Sequence, residues 1–187
     1  MGNRGGRLHD ADRRLGSRRW AGKAWICCLT EFAGRRRAVM GEGYTELFFL
    51  DEATALAAGH RPCFECRRAH AMRFAEKWNA ARGLSGRATA ADMDAVLHAE
   101  RVSHHGAKRV HPMSLADVPD GAMISVADVV GLWWIGRLWP WQPGGYGAPS
   151  QIESEACESL TPPSVLAVLG AGYRPVLHSS VPGGQRV

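Results

Sequence analysis

The sequence predicts an α+β fold, with short strands and helices in its first half and a β-rich second half. Helical spacing is clearest within residues 67–82, where four apolar residues share one face: Ala71, Phe74, Ala75 and Trp78. Beyond about residue 102, short apolar runs alternate with turn residues, many of them Gly or Pro, as is typical of short strands. A chain of 187 residues can form one domain or two small ones.

The first half is predicted to contain strands followed by a short helix. The predicted strands cover residues 20–29, 35–40 and 45–50. Asp51 has the short acidic side chain favoured at a helix N-cap, and Gly59 marks the end of a helix that runs through Ala58. This helix leads directly into a pair of closely spaced cysteines.

The most specific motif is the pair Cys63 and Cys66, within the segment Gly-His-Arg-Pro-Cys-Phe-Glu-Cys-Arg-Arg at residues 59–68. Two cysteines separated by two residues in a tight turn can bind one metal ion from the same side. A second pair, Cys27 and Cys28, lies upstream, so four of the five cysteines can serve one tetrahedral Zn²⁺ site. The odd number of cysteines also favours metal binding over disulfides. The alternative is that these cysteines are small buried apolar residues.

Several short motifs lie within residues 24–68: Phe48-Phe49, Glu52-Ala53, the Ala-rich segment 55–59, Arg61-Pro62-Cys63 and Cys66-Arg67. Through these motifs, this part of the chain resembles the zinc-binding domain of the bacterial Ada DNA-repair protein. The resemblance implies that Cys63 and Cys66 are the downstream zinc ligands and that Cys27 is an upstream ligand. It also implies contacts to the DNA backbone, and transfer of a methyl group from a methylated DNA phosphate to an upstream cysteine.

The sequence does not decide which residue is the fourth ligand of the predicted site. The Ada family has its upstream cysteines four positions apart, and the residue four positions after Cys27 is Glu31. Adjacent residues on a regular strand point to opposite faces, so Cys27 and Cys28 can both reach one ion only if the chain bends there. The candidates are therefore Cys28, Glu31 and a histidine such as His60. The zinc is either structural, or reactive with Cys27 or Cys28 as an activated thiolate nucleophile.

These motifs divide the chain into three predicted segments. Residues 1–19 are rich in Gly and Arg and are predicted to be a basic flexible arm. Residues 20–84 are predicted to form the Ada-like metal-binding domain, and residues 85–187 a helix followed by a β-rich domain. The alternative is that both halves share one core.

Basic residues are concentrated near the start of the chain. The formal net charge is +5, whereas residues 1–37 alone hold ten Lys or Arg and three Asp or Glu, a formal charge of +7. A basic surface favours anionic partners, above all nucleic acid. The arginines predicted to contact a DNA backbone are Arg35, Arg36, Arg37, Arg61, Arg67 and Arg68. The alternative is an ordinary solvated charged surface.

The leading prediction is thus a zinc-binding protein that binds nucleic acid beside its cysteine turn. One alternative is a DNA-modification or DNA-repair enzyme with a zinc-activated cysteine. Another is a small-molecule or protein-binding module centred on Trp139, Trp141 and Tyr146 in the Trp-rich region. No apolar run of 18 or more residues and no apolar segment typical of a secretory signal is present, so we expect a cytoplasmic protein without a membrane partner.

Overall fold

The computed structural model describes residues 1–35 and 38–185, and within them it has four α-helices and two β-sheets. The helices are α1 (Glu52–Ala57), α2 (Arg68–Ala81), α3 (Ala90–Arg101) and α4 (Pro163–Gly170). The predicted α+β class is therefore confirmed. Within the described residues, every helix is too short or too polar to cross a lipid bilayer.

The smaller sheet brings together distant parts of the first half. It has the order β1-β2-β3, with strands β1 (Gly2–Arg4), β2 (Ile26–Cys28) and β3 (Arg61–Pro62). Strand β1 is antiparallel to β2 and places Asn3 opposite Cys27. Strand β3 is parallel to β2 and places Pro62 opposite Cys27. Two segments separated widely in sequence thus flank the strand that carries the upstream cysteines.

The strands of this region differ from those predicted. Strand β1 lies inside the segment 1–19, which is predicted to be a flexible arm. Within the predicted strand 20–29, only the residues of β2 form a strand. The segment 45–50 contains only an isolated bridge between Phe48 and Gly2. Its backbone instead bonds irregularly to the first residues, with Phe49 N–H donating to Met1 O at 2.8 Å. The described part of 35–40 has no strand, and residues 36 and 37 lie outside the described ranges. Hydrogen bonds to the first residues of the chain thus take the place of the strand predicted at 45–50.

The larger sheet forms the scaffold of the second half. Its order is β4-β9-β5-β6-β7-β8, and every neighbouring pair is antiparallel. The strands are β4 (His111–Ser114), β5 (Met123–Val126), β6 (Val129–Trp134), β7 (Arg137–Gln142), β8 (Gly145–Tyr146) and β9 (Ala156–Ser159). Two-residue turns join β5 to β6 and β6 to β7, and both residues of each turn have positive φ: Ala127, Asp128, Ile135 and Gly136. Such turns match the right-handed twist of the strands that they join.

The larger sheet is buried on both faces at its centre. In β5, Ile124 packs with helix residues such as Phe74 of α2 and Val165 of α4, whereas its neighbour Met123 packs with Ala53 of α1. The buried face of α2 consists of the residues predicted from their spacing: Ala71, Phe74, Ala75 and Trp78. One core cluster thus contains residues from both sides of the predicted boundary near residue 84.

Two adjacent buried carboxylates fix the start of α1. Asp51 is the N-cap, as predicted, and its side chain accepts a hydrogen bond from Thr54 N–H in a capping box. The same carboxylate accepts from the Tyr146 hydroxyl at 2.8 Å and from His178 N–H at 3.1 Å. Asp51 therefore ties α1 to strand β8 and to the last part of the chain.

Glu52 makes the second set of connections. Its carboxylate accepts two hydrogen bonds from the Arg67 guanidinium, at 2.8 and 2.7 Å. It also accepts from the Tyr173 hydroxyl at 2.6 Å and from Val176 N–H at 2.8 Å. Glu52 and Arg67 are both buried, so the pair is shielded from water and all four bonds are formed within the protein. Arg67 directly follows Cys66, and this network consequently anchors the cysteine turn to α1.

We predict that Glu52→Gln lowers the free energy of unfolding by about 3 kcal/mol, because it leaves the buried Arg67 guanidinium without a full counter-charge. The matched control is Glu76→Gln, which changes an exposed glutamate paired with Lys77 on the surface and should cost less than about 0.5 kcal/mol. Urea denaturation followed by circular dichroism measures both values. Equal losses in the two variants would contradict a stabilising role for the Glu52 network.

Candidate metal centre

The cysteines are positioned by strand β2 and by the turn that follows strand β3. Strand β3 runs beside β2, and Cys63 N–H donates to Cys27 O at 3.1 Å, which extends this pairing into the turn. Arg67 N–H donates to Cys63 O at 3.1 Å and closes the turn just before α2. Leu29 N–H donates to the Cys66 sulfur at 3.4 Å, so the turn also contacts the end of β2.

The sulfur atoms of three cysteines lie close together where the end of β2 contacts the cysteine turn. The Sγ atoms of Cys28, Cys63 and Cys66 all lie within 4.8 Å of one another. Thiolates bound to one Zn²⁺ at about 2.3 Å in tetrahedral geometry are about 3.8 Å apart, so small adjustments of these side chains allow binding. The three cysteines are therefore positioned to bind a metal ion.

Cys27 was predicted as the upstream ligand, and the structure places its thiol elsewhere. Cys27 is fully buried; its thiol donates to Met1 Sδ at 3.4 Å and accepts a hydrogen bond from Arg67 Nη1 at 3.6 Å. Strand β2 stays regular at this point, so adjacent residues point to opposite faces and Cys28 alone of the pair faces the cluster. Burial raises the pKa of Cys27 to about 12, which keeps it a neutral thiol. Cys27 is also inaccessible as a nucleophile, whereas Cys28 is half-buried.

The other candidates for a fourth ligand do not join the cluster. Within residues 1–35 and 38–185, no further His, Cys, Asp or Glu side chain meets the three sulfurs within the same distance, Glu31 included. The His60 ring is buried between Trp25 and Phe49, with ring centroids 5.0 and 4.7 Å away. Burial lowers the pKa of His60 to about 3, so this ring is neutral.

Hydrogen bonds make Cys63 the most acidic thiol of the cluster. The hydrogen bond from the Cys28 thiol, together with backbone N–H groups of Cys66 and Glu65, lowers the pKa of Cys63 to about 4. The same interaction raises the pKa of Cys28, and burial raises that of Cys66. Cysteine binds a metal as the thiolate, so binding of a cation would release protons from this group.

Charged side chains surround the cluster. Arg4 Nη2 lies 3.7 Å from the Cys63 sulfur. Glu65 accepts from both Arg4, at 3.3 Å, and Arg35, at 2.6 Å. Three thiolates around a divalent cation carry a net charge of −1, and Arg4 is placed to offset it. Arg4 could not be predicted as part of the site, because it reaches the cluster through the long-range pairing of β1 with β2.

The six arginines predicted to contact nucleic acid fall into three groups. Arg61 and Arg67 are buried in ion pairs, Arg61 with Asp94 at 2.8 Å and Arg67 with Glu52, so neither guanidinium faces the surface where a phosphate would bind. Arg35 and Arg68 are exposed. Arg36 and Arg37 lie outside the described residues. Exposed guanidinium groups thus remain beside the cluster, but fewer than predicted.

The Trp-rich region is largely part of the core. Tyr146 is buried and donates to Asp51, and Trp139 packs against the same core cluster and donates from Nε1 to Trp134 O at 3.1 Å. Trp141 is exposed. Two of the three residues predicted for a binding module centred here therefore have structural contacts.

Comparison of the chain with protein-family models, with curated proteins and with solved structures gives no match. Function is therefore inferred from the geometry of the cysteine cluster and from its surroundings.

The neighbouring cysteines of β2 provide a matched test of the ligand set. We predict that Cys28→Ala lowers zinc affinity by at least about 100-fold, since even residues that only orient metal ligands cost 10- to 100-fold when changed. Cys27→Ala should change zinc affinity by less than about threefold, because that sulfur faces away from the cluster. Competition titration with a chromophoric chelator measures both constants. A larger loss in Cys27→Ala than in Cys28→Ala would contradict this assignment.

Proposed function

We propose that this chain is a zinc-binding protein that holds one Zn²⁺ through Cys28, Cys63 and Cys66. The observation that supports it is the convergence of three sulfurs, one from β2 and two from the turn that follows β3. Thiolate ligands select soft or borderline metals, among them Zn²⁺, Cu(I) and the iron of Fe–S clusters. Zn²⁺ is proposed because two cysteines separated by two residues have the usual ligand spacing of zinc sites, and another donor can complete the tetrahedral set.

The proposed ion has a structural task. The smaller sheet is short, and its own core cluster is formed by three buried residues, Met1, Cys27 and Ala55. So little apolar burial gives this sheet little stability of its own. An ion bound by Cys28 of β2 and by both cysteines of the turn would join the two segments that this sheet has to hold together.

A relation to the zinc-binding domain of the bacterial Ada protein is part of this proposal. Strand β2 precedes the Asp51-capped helix α1, which leads into the cysteine turn, and this succession supports the proposed relation. The three-sulfur cluster is the point at which this chain departs from the four-cysteine pattern of that family.

Nucleic-acid binding is the second part of the proposal, and exposed basic residues support it. Most Lys and Arg residues of the described range 1–35 are exposed: Arg7, Arg13, Arg14, Arg18, Arg19, Lys23 and Arg35. Exposed guanidinium groups can neutralise phosphates without regard to sequence. Such binding would depend mainly on charge and would weaken steeply with salt.

For the alternative of a DNA-repair enzyme, Cys28 is now the only candidate nucleophile of the two neighbouring cysteines. This half-buried residue belongs to the cluster and lines the cavity beside it. In an alkyl transfer, the Cys28 thiolate would bond to the alkyl carbon while the carbon–oxygen bond breaks and the phosphate oxygen leaves with the electron pair. Intact-mass analysis after incubation with methylphosphotriester DNA tests this step, and an unmodified Cys28 peptide would exclude it.

Zinc content and zinc-dependent stability test the first part of the proposal. Protein purified from zinc-containing medium without chelator should contain about one equivalent of zinc, since the three sulfurs form one site. Removal of the metal should lower the melting temperature, because the free energy of metal binding adds to that of folding. Cys157→Ala should keep the metal, because Cys157 packs in the main core cluster. Less than about half an equivalent in the unmodified chain would contradict the proposal.

Salt dependence tests the second part. The affinity for a short DNA duplex should fall linearly on a log–log plot against salt, with a slope of about −0.9 for each phosphate neutralised. The double variant Arg18→Gln/Arg19→Gln should make that slope shallower by about two. The matched control Arg137→Gln/Arg174→Gln removes two exposed arginines elsewhere and should leave the slope unchanged. Binding that is insensitive to salt, or undetectable at low salt, would contradict backbone recognition.

A further inference from the structure

The cysteine cluster lines a cavity of about 200 Å³. Such a volume is much larger than the roughly 15 Å³ that a single water needs. The cavity walls carry four apolar side chains: Leu29, Phe32, Val39 and Phe48. Three of these are exposed to solvent, Phe48 by 62%, Val39 by 52% and Leu29 by 43%. Apolar surface beside metal-ligating groups is typical of a site that binds an organic ligand.

The cluster is also one ligand short. Zinc in structural sites is closed by four protein ligands, whereas sites that exchange ligands have three and an open position. Within the described part of the chain no fourth side chain joins the three sulfurs, and Cys27 faces the core. The fourth donor therefore has to come from the cavity side.

The chemistry of the walls favours one kind of donor. The guanidinium groups of Arg4 and Arg35 are already paired with Glu65, so an incoming phosphate would have to compete with a carboxylate. Polar side chains such as Asn3, Thr30 and Glu46 also line the cavity, and the Glu46 carboxylate would repel a phosphate, whereas the four apolar side chains can pack against a hydrocarbon body. A sulfur donor matches the preference of a thiolate-bound metal, and Arg4 lies close enough to offset part of its charge.

We propose that the open position takes the thiolate of a small organic thiol whose apolar body packs against Phe48, Val39 and Leu29. This inference rests on the proposed metal site. Binding forms one metal–sulfur bond, releases one solvent molecule from the open position and transfers the thiol proton to the buffer. The site is thus a thiol-binding site as well as a structural one.

Cobalt substitution tests this proposal on the full chain. Protein reduced with a phosphine and loaded with one equivalent of Co²⁺ is titrated with benzenethiol, with 2-mercaptoethanol and, as the oxygen analogue, with phenol. Sulfur-to-cobalt charge-transfer absorption should rise about 1.3-fold at saturation with either thiol, because the bound sulfurs increase from three to four. Phenol should leave it unchanged.

Two variants test whether the apolar wall of the cavity contacts the bound thiol. Phe48→Ala should weaken benzenethiol binding about 10-fold, the loss of one aromatic contact, and should leave 2-mercaptoethanol binding unchanged. The neighbouring Leu47→Ala is the matched control, because Leu47 is also exposed but does not line the cavity. Its benzenethiol affinity should equal that of the unmodified chain.

The outcomes separate this inference from the proposed function. Failure to bind one equivalent of Co²⁺, or equal binding by Cys28→Ala, would contradict the metal site itself. Binding of one equivalent of Co²⁺, with a charge-transfer absorption that neither thiol changes, would contradict the thiol site. That result would still support the metal site. A spectral change with inorganic phosphate instead of the thiols would also overturn the thiol site.

Discussion

The alternation of side chains along strand β2 determines the chemistry of the cysteine cluster. Cys27 and Cys28 are chemically identical neighbours, yet one is enclosed by Met1 and Arg67 and the other meets Cys63 and Cys66. A regular strand cannot direct both thiols to one ion. The hydrogen bonding of β2 to strands on both sides keeps it regular, and so limits this chain to three sulfur ligands.

The cluster in turn depends on the buried pair of Glu52 and Arg67. Arg67 ends the cysteine turn, and Glu52 starts α1 and also binds the segment near Tyr173 and Val176. The same guanidinium contacts the Cys27 sulfur on the inner face of β2. The segment that follows α4 therefore helps to hold the turn in place, and the proposed ion would complete the connection between that turn and β2.

Features set by local spacing could be predicted from the sequence, and features set by distant partners could not. The Asp51 cap, the buried face of α2 and the pairing of Cys63 with Cys66 all arise within a few residues. Strand β1 could not be predicted, because Gly2–Arg4 has no apolar alternation and pairs across more than twenty residues. The burial of Arg61 and Arg67 could not be predicted either, because their carboxylate partners, Asp94 and Glu52, lie far from them along the chain. The turn at Ala127 and Asp128 has positive φ without the glycine that usually signals it.

The ligand set is the central claim, and X-ray absorption at the zinc edge tests it most directly. Zinc-loaded protein in buffer free of thiols should show three sulfur neighbours at about 2.3 Å and one lighter neighbour. The Cys27→Ala variant should give the same spectrum, and Cys28→Ala should lose one sulfur. Four sulfurs in the unmodified chain, with one of them lost in Cys27→Ala, would contradict the account.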